Sequence, residues 1–220
     1  MDKKHTYYFA VGSVDDSMDD LRAVVGYSER ILYEGKPDKK CYIYESILNP
    51  LLPVAIIWAI IDFGVMGNAI FGFGPSNMLF FVIPFMLLHL MPVWLYVGGI
   101  VFMSRRYQNT SYIVTDRAIY VSGGVFNKSI NVKPFAELSH INLHRGIFDQ
   151  KFNVGDIVCT TSHMNENGKS ASIKISSIAN YTEVYNLIKK LQMDVYTDVM
   201  YPNAKRPDEN PGYNTKYKGL

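Results

Sequence analysis

The 220-residue chain carries 22 Lys and Arg against 20 Asp and Glu, with 48% hydrophobic residues and a mean hydropathy of +0.00. A net charge of +2 excludes nucleic acid as a partner held by bulk electrostatics, and two cysteines, Cys41 and Cys159, exclude a disulfide framework. The mean hydropathy hides a segregation: 41 of the 42 charged residues lie outside Ser46–Ser104, where Asp62 stands alone. A soluble core segment returns to solvent every ten to twenty residues or so, so this pattern reads as a membrane protein with polar flanks, its first partner the lipid bilayer.

Residues 1–45 form a polar N-terminal segment with 7 basic and 9 acidic residues and no cleavable signal. Asp15, Asp16, Asp19 and Asp20 followed by Leu21, Val24 and Val25 predict a short helix there. The apolar block 46–104 is too long for one crossing at about 20 residues each and fits a transmembrane helical hairpin, with spans near 47–66 and 78–103. Gly64, Gly67, Gly72, Gly74 and Pro75 supply the connection. Pro50 and Pro53 fall in the first turns of span one, whereas Pro84 and Pro92 predict kinks in span two.

Basic residues set the orientation. Lys36, Lys39 and Lys40 flank the start of the block, Arg105 and Arg106 flank its end, and the connecting loop has neither Lys nor Arg. The positive-inside rule then puts both termini on the cytoplasmic side of a multi-pass cell-membrane protein. Asp62 and His89 are the ionisable groups inside the block, and such groups are functional candidates because charge in hydrocarbon is costly. In a straight hairpin they differ in depth by about 9 Å, so a direct pair is not expected.

From Asn109 the pattern changes to short runs rich in Val, Ile, Tyr and Thr: NTSYIVTD, RAIYVSGG, SINVKPF, LSHINLHRG, IFDQKF, GDIVCTTS and ASIKISSI. Seven such runs divided by turn signals predict about seven antiparallel strands. Asn180 with Glu183 forms a capping box, and Val184, Leu187, Ile188 and Leu191 follow as the apolar stripe of a closing helix, with Lys189 and Lys190 in its last turns.

Three features in this region carry a resemblance: Tyr-x-Val-Thr-Asp-Arg at 112–117, Gly-Val-Phe at 124–126 and Phe-x-x-Gly-Asp-Ile at 152–157. The stretch from about Tyr107 to Asp194 resembles the bacterial pleckstrin-homology-like domain of the YdbS-like membrane proteins, the bPH2 family. The resemblance implies a mainly-β, seven-stranded, barrel-like PH domain over 105–194, capped by a C-terminal α-helix and tethered at the cytoplasmic face. It carries no catalytic residues over.

Enzymatic patterns are weak. His140 and His144 lie four apart on a strand and lack the Glu of a zinc helix, Ser162 and His163 are adjacent, and the Gly pairs lack the Lys of a phosphate loop. The chain therefore reads as non-enzymatic, with no cofactor and no metal. Lys128, Lys133, Arg145 and Lys151 are the candidate binding face, for anionic lipid or an acidic partner, against the simpler reading of a solvated surface. The tail 195–220, rich in Tyr and Pro, reads as extended. The expected role is presentation of a PH-like domain for protein–protein or homo-oligomeric contact. The alternative is an accessory subunit of a transport, export or stress-response complex whose helices contact other subunits.

Overall fold

The computed structural model describes residues 8–9, 16–67, 76–164 and 170–200. The chain divides into two units, Met1–Cys41 with Arg106–Leu220, and Tyr42–Arg105.

The first unit is mainly β. Strands β1 (Tyr8–Phe9), β2 (Ile31–Gly35), β3 (Ser111–Thr115), β4 (Ala118–Gly123) and β5 (Ser129–Pro134) make one sheet in that order. All its pairings are antiparallel except the two-residue β1–β2 contact. Strands β6 (Leu138–His144), β7 (Gly155–Met164) and β8 (Ser170–Ile178) make a second antiparallel sheet. The expected seven-stranded barrel is thus two separate sheets rather than a closed cylinder.

One core joins them. Tyr112, Val114 and Ile119 from the first sheet meet Ile157, Cys159, Ile173 and Ile175 from the second. Val184, Ile188 and Leu191 fill it from the closing helix, which runs Tyr181–Met200. That helix is longer than the stripe suggested, so Lys189 and Lys190 sit mid-helix rather than in its last turns. The alternation of β3 is buried on both faces. Tyr112 and Val114 enter the main core, while Ile113 joins Leu21, Ala118 and Tyr120 in a second cluster beneath α1 (Asp16–Val24).

Two local expectations fail, each for a visible reason. The run IFDQKF is a helix, α-helical over Ile147–Phe152, because Asp149 Oδ2 accepts the Gly146 N–H at 2.8 Å and caps its first turn. Asn153 closes it in the left-handed conformation at φ 54°. Residues 1–45 are more than a flank, since Ile31–Gly35 pairs with β3 and extends the sheet. The expected short helix is present at Asp16–Val24.

One continuous helix, Lys39–Gly64, whose residues from Tyr42 on belong to the second unit, is long and apolar enough to cross a membrane. It comprises the segments Lys39–Ile47 and Leu51–Ile61 and runs into a π-helical segment, Asp62–Met66. The return is broken: a helix over Ser76–His89 and another over Met91–Val101 meet at Leu90 with a 62° bend between Ile83–His89 and Met91–Val101, and they reach spanning length only when counted together. Of the two expected kinks, Pro84 lies inside a helix, and the bend falls just before Pro92. Pro92 has no N–H to continue the ladder and its ring crowds the carbonyl of Leu88. The Gly-rich connection from 68 to 75 lies outside the described residues, as does the tail beyond Met200.

Candidate functional site

In the second unit the ionisable groups meet. His89 Nδ1 lies 2.7 Å from Asp62 Oδ1. The straight-hairpin estimate, which kept them apart, fails because both helices are irregular at this level: the π segment begins at Asp62, and the return helix breaks directly after His89. Asp62 is 2% exposed, and among the described residues its Oδ2 has no hydrogen-bond partner. The imidazole is stacked on Phe85 at 5.2 Å and tilted against Trp58 at 5.3 Å.

The break at Leu90 frees backbone acceptors, and two indoles take them. Trp58 Nε1 donates to the His89 carbonyl at 2.7 Å and Trp94 Nε1 to the Leu87 carbonyl at 3.1 Å. Trp58 and Trp94 therefore serve the bend. Sequence reasoning singled out Asp62 and His89 but had no signal for Trp58 and Phe85 as their neighbours, since Phe85 is unremarkable within an apolar run.

In the first unit, Asp38, Asp149 and Asp156 are spent on backbone donors. Asp156 Oδ1 accepts the Ser177 N–H at 2.7 Å, and its Oδ2 is 2.7 Å from Lys174 Nζ. Ser177 holds a left-handed φ of 53°, and its carbonyl accepts the Asp38 N–H at 2.7 Å. Asp38 Oδ1 in turn accepts the Cys41 N–H at 2.8 Å, and the Cys41 thiol donates to Asp149 Oδ1 at 3.5 Å. This seam ties the end of β8 to Asp38 and Cys41 within the same unit. With each carboxylate so engaged, it is a structural joint rather than an acid–base centre.

The expected basic face does not gather into one cluster. Lys128, in the β4–β5 turn, pairs with Asp20 at 2.6 Å, and Lys133 is half-buried on β5. Arg145 turns inward: its Nε donates to the Val154 carbonyl at 2.9 Å and its guanidinium lies 4.6 Å from the Tyr181 ring centroid. Lys151 is exposed beside Phe152. His140 and His144 are exposed on β6, and the side chains of Ser162 and His163 lie outside the described residues. Burial pushes the Cys159 thiol up to about 12, which leaves it un-ionised and poorly nucleophilic. Among the cations flanking the apolar block, Lys39, Lys40, Arg105 and Arg106 are exposed, and Lys36 Nζ donates to the Gln108 carbonyl at 3.0 Å.

That last contact marks a geometric fact about the chain. Gly35 and Tyr112 are register partners across the β2–β3 ladder, so the polypeptide leaves this unit and returns to it at neighbouring points.

Compared with known families, the chain matches the bacterial PH domain (bPH_2) over residues 50–192. No curated protein and no solved structure matches it.

Proposed function

The chain belongs to the bacterial PH domain family, and on that premise we propose that it is a membrane-anchored, non-enzymatic module offering its PH-like unit to a protein partner or to further copies of itself. The observation that carries the reading is the pairing of Gly35 with Tyr112. A chain that departs and returns at one place crosses a bilayer an even number of times or not at all. Between those points lies an apolar helix with Ile56, Ile57, Ile60, Ile61 and Phe63 exposed, surface that water disfavours and lipid accepts. Two crossings, with the bent pair as the second, satisfy both facts. The cations at both ends of the excursion favour the cytoplasmic side for the PH-like unit and for both termini. Anionic lipid would add a weaker contact through Arg105 and Arg106.

The test is alkaline carbonate extraction of membranes holding the full chain, with a reporter fused at Leu220 and the mass of the detergent-solubilised particle. The reading requires retention in the pellet, reporter activity inside the cell, and a particle heavier than a monomer. Release into the supernatant, or a monomer with no partner, overturns it. An activity lost on replacing His144 would overturn the non-enzymatic part.

The Asp62–His89 pair favours a second reading, in which the helices contact other subunits of a transport, export or stress-response complex. Under it, Asp62→Asn and His89→Ala abolish function while changes on the β unit's loops do not. Under the first reading the order reverses.

A further inference from the structure

The stretch Ser46–Ser104 contains no Lys and no Arg, so Asp62 has no fixed counter-charge within it. One of its oxygens meets His89, and the other is buried without a partner among the described residues. A carboxylate oxygen in that position costs free energy until something positive reaches it, and apolar surroundings supply no water to do so. The smallest species that can reach a group so enclosed is a proton, carried on Asp62 Oδ2 or on the imidazole. At 2.7 Å the two groups share it, and the site belongs to the pair rather than to either residue.

We propose that Asp62 and His89 form a one-proton exchange site within the apolar unit. In the occupied state the pair carries no net charge: a proton from the aqueous phase has formed one N–H or O–H bond, and no other bond has changed. In the emptied state that proton has returned to water and the pair carries one negative charge. Of the two, His89 is the less enclosed, its side chain 38% exposed while that of Asp62 is 2% exposed. Among the described residues of Leu51–Met66 and Ser76–Val101, the other ionisable side chain is Tyr96, whose hydroxyl donates to the Ile47 carbonyl at 3.0 Å. The site also sits where both helices depart from regular geometry, so occupancy bears on the bend: the His89 carbonyl and ring are both held, by Trp58 and Asp62.

The inference rests on the anchor reading for its apolar surroundings, and carbonate extraction of the same preparation separates the two failures. The test uses the full chain in vesicles of phosphatidylcholine and phosphatidylglycerol, with Trp94→Phe so that Trp58 is the sole indole. A charged imidazole 5.3 Å from Trp58 and tilted against it quenches its emission, so a scan between about pH 5 and about pH 9 should show one reversible step. His89→Gln should abolish the step, and Asp62→Asn should change its midpoint. Exchanging sodium for potassium should leave it unchanged. A flat profile, a step that survives His89→Gln, an Asp62→Asn protein indistinguishable from its parent, or a step that follows the alkali cation each overturns the proposal. Should a variant misfold, the ring nitrogen NMR signals of a protein with His5, His140, His144 and His163 replaced by Gln report on His89 directly. Signals that stay fixed over the same range refute the site.

Discussion

Replacing Leu21 by Ala tests whether the N-terminal segment is part of the β unit. Leu21 is 0% exposed on the inner face of the Asp16–Val24 helix, packed with Ile113, Ala118 and Tyr120 on the outer face of the first sheet. Truncation removes three carbon atoms from that cluster. The transfer loss together with the cavity left behind amounts to about 3 kcal/mol, within the range for buried Leu→Ala changes. For a unit of this size that corresponds to a melting-temperature drop on the order of 10 °C. Val24, on the same helix but 50% exposed, is the control: Val24→Ala should cost less than about 0.5 kcal/mol. Alanine keeps helix propensity, so a difference between the two variants reports packing rather than helix formation. The assay is thermal unfolding of the full chain in mild detergent, followed by the near-ultraviolet circular dichroism of buried Tyr112 and Tyr120. Equal melting temperatures for the two variants would show that the helix does not pack on the sheet.

Three further outcomes follow from the same structure. Asp156→Ala strips the acceptor from the buried Ser177 N–H and leaves Ser177 in its left-handed conformation without support; denaturant unfolding should show a loss of about 1–3 kcal/mol, and a neutral result would remove the seam's structural role. Gly124→Ala forces a Cβ into the Asn127 carbonyl at a φ of 124°, so the β4–β5 hairpin should loosen by more than about 1 kcal/mol, read as faster amide exchange in β5; unchanged exchange would contradict it. Burial pushes the Tyr33 and Tyr120 phenols and the Cys159 thiol up to about 12. Because each folded value lies above the unfolded one, the unfolded chain releases these protons first. Their stabilisation is complete below about pH 8.5 and is lost as pH rises toward about 12. Alkaline unfolding monitored by tyrosinate absorbance should therefore be cooperative, and Cys159 should resist alkylation at neutral pH until the chain is denatured. Rapid labelling of native protein would refute the burial.

The legible parts of the fold were those written in local pattern. Alternation in RAIYVSGG and ASIKISSI, and the stripe from Val184 to Leu191, depend on side-chain period alone, and each became the element it implied. IFDQKF misled because a six-residue run, half of it polar, has no decisive period; the capping carboxylate of Asp149 decided it. ILYEG was passed over because it stands within a charged segment, and its identity as a strand comes from the β3 edge it pairs with. At the candidate site, the types of Asp62 and His89 were conspicuous in an uncharged block, but their contact depended on a π segment and a break that shift helical phase and depth together.

The sequence by itself determined the charge-free block, the polarity of its flanks, the mainly-β character of residues 105–194 and the family, because these are properties of composition and of short-range period. Tertiary structure decided the rest. It opened the expected barrel into two sheets over one core, recruited Ile31–Gly35 from far along the chain, turned Arg145 inward, and brought a buried carboxylate to an imidazole. Those outcomes are set by which surfaces meet across a separation of many residues, where the free energy of burial and of unsatisfied polar groups outweighs the preference of any single segment.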